Sequence, residues 1–288
     1  MLIAWPNDSA QSHELKTHLA GQIARALAVF CVDEVVVYDD GSQPKHKALQ
    51  SSSMLVHVLS YLECPQYLRK SLFPIHDNLR FAGLLAPLDL PSHLRVGEQS
   101  VFREAVSLSS KDGCSMLDAG LDKTVLVKLD IPPMSRVTVR ISPQAPGTPG
   151  ICGEVVSEHT PRLEQGYYWG YSVREASSLS KVLTQCPYEG GYDVSFGTSE
   201  RGKPLAEVVS AGIPEFKNLL VVFGGLAGIE QAFRADEELK SVTADPAELF
   251  DFWVNVCPGQ GSRTIRTEEA LWITLAGLKE TILAKGIK

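Results

Sequence analysis

Three segments in the last third of the chain carry residue types that could do chemistry: SFGTSERG (195–202), FGGLAG (223–228) and NVCPGQGSRTIRTEE (255–269). In the last, Pro258, Gly259 and Gly261 impose an irregular backbone that another group can approach closely, and Gln260, Ser262 and Thr264 add short polar groups. Such a loop suits a compact, polar, adenosine-like ligand. Arg263 and Arg266 stand three apart at the mouth of a helix and could together hold the phosphate oxygens of a polyanion, with Arg201 joining from another loop. All seven histidines lie before Thr160, so these segments have no imidazole base or histidine metal ligand of their own. Chemistry here must rest on positioning, backbone donors, Arg or Glu. The competing bland reading is a helix-capping loop with solvated arginines.

Other site classes are excluded by spacing. The run Gly224-Gly225-Leu226-Ala227-Gly228 lacks the GxGxxG pattern of a dinucleotide turn, and neither GxxxxGK[ST] nor GxSxG occurs. The six cysteines, at 31, 64, 114, 152, 186 and 257, never pair as CxxC, so no zinc knuckle is encoded. They are expected as free, buried or partly buried thiols in a reducing compartment. The chain has 288 residues, 27 Lys plus Arg against 34 Asp plus Glu, and a formal charge of -7. That acidity argues against a wholly basic nucleic-acid coat but leaves room for a local basic site. No N-terminal signal peptide is apparent, and the longest apolar runs fall far short of the ~20 residues that cross a bilayer. An intracellular chain with no membrane association is expected.

These segments need elements to hold them. Leu2 to Trp5 is expected as a strand, Pro6-Asn7-Asp8-Ser9 as a turn and cap, and a helix follows to about Val29. Glu34 to Tyr38 is a buried β-branched strand. Leu55, Val58, Leu59 and Leu62 have helical spacing in a segment that Pro65 stops. Strand, helix, strand, helix is the pattern of a parallel α/β sheet. From about Leu90 the texture changes to short runs between Pro and Gly turns: Val101 to Val106, Thr124 to Leu129, Val137 to Ile141 and Gly153 to Ser157. These suggest a small antiparallel barrel or sandwich over 90–165, inserted into an α/β domain made of 1–89 and 166–288. The insert carries 8 basic and 9 acidic residues, so charge alone does not make it a nucleic-acid platform. After it, Tyr168 to Val173, Tyr192 to Phe196, Leu219 to Phe223 and Phe252 to Val256 are expected strands, Ala176 to Gln185 a helix, and Glu268 to Ala284 a final helix capped by Thr267. The three chemical segments follow the last three strands. Ligands in open α/β sheets bind outside the carboxyl ends of strands, so they should wall one pocket.

YDVSFGTSERG, LLVVFGGLAGIE and above all NVCPGQGSRTIRTEEA resemble the SPOUT superfamily of S-adenosylmethionine-dependent RNA methyltransferases, and within it the eukaryotic SPOUT-domain-containing group that includes a centromere-named protein. LAGQIARALAVFCVDEVVVYD, LECPQYLRKSLFP, FAGLL and YYWGYSVR extend the similarity over nearly the whole chain. The resemblance implies a trefoil-knotted α/β domain with an OB-like β-barrel insert, working as a homodimer through the knotted domain on an RNA substrate, in the nucleus or cytoplasm. It implies that S-adenosyl-L-methionine is lined by Thr198 and Ser199, by Phe223, Gly224 and Gly225, and by Asn255, Val256, Cys257, Pro258, Gln260, Thr264, Ile265 and Arg266. Arg201 is the preferred catalytic residue and Arg263 a substrate contact. Glu200, Glu269 or a substrate phosphate could accept the proton of the methylated group, with Arg201 or Arg266 stabilising developing negative charge. Phe102 is the main aromatic of the insert that could stack on RNA, while Tyr167, Tyr168, Trp169 and Tyr171 are expected to pack at a domain junction. The alternative to an enzyme is a cofactor-binding scaffold with a centromere or spindle role.

Overall fold

The computed structural model describes residues 2–4, 12–95, 97–142, 150–225 and 227–287. The chain divides into two units, one made of Met1–Leu59, Phe81–Leu85 and Tyr171–Lys288, the other of Ser60–Arg80 and Ala86–Gly170.

Local sequence explains the first elements. β1 (Leu2–Ala4) is followed by α1 (His13–Val29), whose first turn is capped by the Ser12 hydroxyl accepting from the Leu15 N–H at 3.2 Å. The turn expected at Pro6–Ser9 lies outside the described residues. β2 (Glu34–Tyr38) is buried at every position, as a β-branched strand covered on both faces should be. α2 (Lys45–Glu63) stops before Pro65, and α3 (Gln66–Leu72) starts directly after it. Five strands follow: β3 (Phe102–Lys111), β4 (Cys114–Asp118), β5 (Val125–Val127), β6 (Arg136–Ile141) and β7 (Ile151–Val156). α4 (Thr160–Gln165) precedes the return to alternating elements: β8 (Ser172–Ala176), α5 (Leu179–Thr184), β9 (Val194–Pro204), α6 (Leu205–Ala211), β10 (Leu219–Phe223), α7 (Ile229–Ala235), α8 (Glu237–Lys240), β11 (Phe252–Asn255) and α9 (Thr267–Lys285).

In the first unit β11-β9-β10-β1-β2-β8 form one sheet in that order, and every pairing is parallel. Leu220, Val222, Ile229, Phe233, Phe250 and Leu179 are among the side chains of a core cluster beside it. The strand expected at Tyr168 begins instead at Ser172. The aromatic run before it has high strand propensity, but the Trp169 indole is engaged in the second unit, where it donates to Glu104 at 2.7 Å. Trp169 and Tyr171 are buried and Tyr167 is exposed.

The second unit is a closed five-stranded barrel, β3-β4-β5-β7-β6, antiparallel except for β5 with β7. Ala105, Leu117, Val125, Val127, Ile131 and Val139 fill it. Phe102, expected as the aromatic to stack on RNA, is fully buried, with Trp169 edge-on at 6.3 Å and the Arg140 guanidinium over its ring. Covered in this way, it cannot reach a base. A polar group is also enclosed here. Arg136 forks onto both Glu63 oxygens at 2.6 and 3.0 Å and donates through Nε to Glu104 at 2.6 Å, and Thr138 donates to the same Glu104 carboxylate. His93 donates its Nε2–H to the Glu63 carbonyl at 2.7 Å.

No disulfide joins the six cysteines; Cys64 is buried and Cys186 and Cys257 are partly buried, but Cys31, Cys114 and Cys152 are exposed, contrary to expectation. Among the described residues no helix is long and apolar enough to cross a membrane.

Two outcomes follow for stability. Arg136→Met strands two buried carboxylates, so urea unfolding should show a loss of about 3–5 kcal/mol, and a loss near zero would contradict the pairing. Burial, opposed by the bond to the Glu63 carbonyl, pulls His93 down to about 4, with Arg69 and Arg136 adding to the fall. Below its ordinary value near 6.5 the unfolded chain takes up a proton that the folded protein refuses. Stability therefore falls as pH drops from about 6.5 to about 4, and His93→Gln should flatten the melting temperature across that window.

Candidate functional site

The strand order sets β11, β9 and β10 side by side and parallel, so their carboxyl ends lie together in one unit. SFGTSERG, expected as a loop, is instead the body of β9, which continues to Pro204 and pairs again with β11 at Lys203↔Val254 and Pro204↔Asn255 after a register shift. Gly202 makes this second pairing feasible. A Cβ there would lie 2.3 Å from the Val254 carbonyl carbon, so only glycine lets the two backbones meet. Gly224 has the same role after β10, where a Cβ would fall 2.2 Å from Gly228 and 2.3 Å from the Ile229 nitrogen.

Hydrogen bonds tie the three segments together. Thr198 donates to the Val222 carbonyl at 2.9 Å, and Asn255 Nδ2 donates to the Glu200 carbonyl at 2.9 Å while its Oδ1 accepts from the Cys257 N–H at 3.0 Å. Thr267 was expected as a helix cap. It is the first helical residue, and its hydroxyl donates to the Gly224 carbonyl at 3.2 Å. The capping position belongs to Arg266, whose N–H donates to the Glu269 carboxylate at 2.9 Å. Phe223 is buried, and its carbonyl accepts from the Tyr38 hydroxyl at 3.1 Å. Burial first, and then Asp40, hold that phenol well above its ordinary range, so it remains a donor.

The segment after β11 shapes itself with its own polar groups. The Cys257 carbonyl accepts from the Gln260 N–H, Gln260 Nε2 donates to the Ser262 carbonyl at 3.1 Å, and Ser262 donates to the Thr264 carbonyl at 2.8 Å. The Pro258 carbonyl and both main-chain groups of Ile265 make no hydrogen bond among the described residues. Val256 and Ile265 are partly exposed, and Pro258, Thr264, Arg263 and Arg266 are exposed. This is a polar lip with open main-chain donors and acceptors, the arrangement a purine edge requires. Gly225 belongs to the turn after β10, where its carbonyl accepts from the Gly228 N–H at 3.0 Å.

A cavity of about 550 Å³ opens beside this cluster, and of the expected residues only Arg201 lines it. Its other walls include Glu230, Phe233, Arg234, Asp245 and Trp253. Ser199 connects cavity and cluster, because its hydroxyl donates to Glu230 at 2.8 Å and accepts from the Arg201 N–H at 3.2 Å. Arg263 and Arg266 are not part of this cavity's lining. Glu230 went unnoticed in the sequence although it ends LLVVFGGLAGIE, two residues past Gly228; no motif marks Arg234, Asp245 or Trp253, which only folding gathers. Among the described residues no group of three or more His, Cys, Asp or Glu is placed to hold a metal ion.

A family model described as "Putative RNA methyltransferase" matches residues 3–278. A 28S rRNA (uridine-N(3))-methyltransferase of Homo sapiens is 48% identical over 98% of this chain and 77% of its own length. Its counterpart in Mus musculus is 49% identical over 97% and 75%, and that of Drosophila melanogaster 47% identical over 96% and 60%. The chain therefore belongs to the SPOUT-type family of RNA methyltransferases.

Proposed function

We propose that this protein methylates N3 of a uridine in 28S ribosomal RNA, using S-adenosyl-L-methionine. The observation that carries the reading is the tying of three strand ends into one cluster by the Asn255–Glu200 and Thr267–Gly224 hydrogen bonds. The atom and the RNA are those named for the human, mouse and fly relatives.

The residues present fit the methyl donor. The unpaired main-chain groups of Pro258 and Ile265 would offer a polar cradle for adenine and ribose, beside the tight turn at Gly224. Phe223, Gly224, Gly225, Asn255, Val256, Cys257, Gln260, Thr264 and Arg266 would complete it, with Thr198 and Ser199 holding the edge formed by β9. When bound, the donor supplies an electrophilic methyl group on a sulfonium. The chain's own work is alignment of the uridine, for which no imidazole is at hand in this part of the sequence. N3 must give up its proton before its lone pair can attack, and Glu200 or Glu269 are the carboxylates at the cluster that could take it. Glu269 is held by the Arg266 N–H, and the Glu200 carbonyl by Asn255. Arg201 faces the cavity and would stabilise negative charge gathering on the pyrimidine oxygens, with Arg263 on the lip as an RNA contact.

The finer fold follows the same reading. The chain from β11 through Thr267 would pass under the Gly224 turn as the trefoil knot of the SPOUT domain, an exception to the rule against knots. The closed five-stranded barrel, with its single parallel pair, would be the OB-like insert and would be suited to RNA. Knotted domains would pair as a homodimer through a face that includes exposed Ile273 and Leu283 of α9. A ribosomal substrate would place the protein in the nucleus or cytoplasm. The scaffold alternative, with centromere or spindle association, gains no support from the relatives.

The test is methyl transfer to 28S rRNA, read by nucleoside mass spectrometry. The expected product is 3-methyluridine, made by the wild type and reduced about 100-fold by Arg201→Ala while folding and binding of S-adenosylhomocysteine persist. No methylated uridine from the wild type would refute the reading, and full activity of the variant would remove Arg201 from it.

A further inference from the structure

The cavity beside Arg201 has a chemistry that the donor loops do not use. Its volume, about 550 Å³, is that of a site for a small molecule or for one residue of a polymer. Its acidic groups are occupied: Glu230 accepts from Ser199 at 2.8 Å, and Asp245 accepts from the Ala247 N–H at 2.9 Å at the start of the short turn Pro246–Leu249. Its cations are not. The guanidinium groups of Arg201 and Arg234 make no hydrogen bond or ion pair among the described residues, and both are exposed at the cavity wall. Two aromatic walls accompany them. Phe233 is buried, and Trp253 is held by stacking on Phe250, with ring centroids 5.7 Å apart and planes 22° from parallel.

Uncommitted arginines beside a fixed aromatic surface suit an anion carried on a flat, hydrogen-bonding ring, which is the chemistry of a nucleotide. We propose that this cavity receives one nucleotide of the RNA substrate, with Arg234 on a phosphate and the aromatic walls of Phe233 and Trp253 against the base. This rests on the RNA-methyltransferase reading and deepens it. Arg201 then faces the nucleotide with its side chain while its main chain is tied through Ser199 to Glu230. The neighbouring Glu200 carbonyl is tied to Asn255. Filling the cavity is thereby coupled to the segments that would hold the donor. Arg234 lies in the last turn of α7 and would act as a binding residue, separate from the chemistry.

The test uses the full chain, a 28S rRNA fragment and S-adenosylhomocysteine as probes, with Arg234→Ala and Arg234→Lys compared to wild type and folding checked by circular dichroism. Arg234→Ala should weaken RNA binding about tenfold and make the slope of log affinity against log salt shallower by about 0.7–0.9, the signature of one lost phosphate contact. Arg234→Lys should restore the slope, and affinity for S-adenosylhomocysteine should not change in either variant. Unchanged RNA affinity and slope would overturn the proposal, and so would weakened S-adenosylhomocysteine binding with RNA binding intact, which would assign the cavity to the donor's carboxylate. The binding arm needs no turnover, so the two readings can fail separately. A wild type that binds RNA with the expected Arg234 effect but transfers no methyl group would sink the enzymatic reading alone. Normal methyl transfer with no Arg234 effect would sink only the cavity.

Discussion

The arrangement depends on backbone meeting backbone at the ends of three parallel strands. At Gly202, β9 lies so close to Val254 of β11 that no Cβ fits between them, and at Gly224 the chain folds onto Gly228 and Ile229 with the same economy of space. These contacts bring main-chain donors and acceptors from separate parts of the sequence within reach of each other, and side chains then lock them: Asn255 to Glu200, Thr198 to Val222, Thr267 to Gly224. A site made this way needs few charged groups of its own. Its polarity comes from peptide units, which is how an acidic chain without a local histidine can still present a polar surface there.

The two chemistries at this edge of the sheet are adjacent but distinct. The lip after β11 offers unpaired peptide groups at Pro258 and Ile265, while the cavity beside it offers uncommitted guanidinium groups and aromatic walls. Ser199 joins them by accepting from the Arg201 N–H and donating to Glu230. Under the proposed function, a nucleotide in the cavity and a donor against the lip would approach each other across β9, so alignment of the reacting groups would follow from the positions of Ser199 and Arg201.

Much of this was legible in the sequence, for identifiable reasons. Glu34–Tyr38 is a β-branched run and Leu219–Phe223 a wholly apolar one, both in a parallel sheet, and both strands lie at the expected residues. The local density of Gly, Pro, Thr and Arg in 255–269 marked the segment after β11. What local patterns misjudged was decided by distant partners. SFGTSERG has the composition of a loop, but pairing with β11 makes it a strand. Tyr168 and Trp169 have strand propensity, yet the Trp169 indole is held by Glu104. Thr267 has the chemistry of a helix cap and spends its hydroxyl on Gly224. Phe102 has the chemistry of a stacking platform and is fully buried, with Trp169 and Arg140 against its ring. Apart from Arg201 of β9, the cavity draws on α7, the turn at Pro246 and β11, three places with no shared sequence signal.

The central claim is that the clustered strand ends form the donor's cradle and that the neighbouring cavity is left for another ligand. A crystal structure of the full chain with S-adenosylhomocysteine tests this most directly. The account predicts adenine against the main chain of Pro258 and Ile265 and ribose near Gly224, with the Arg234 cavity still open. Adenine or ribose bound inside that cavity, between Arg234 and Trp253, would contradict it.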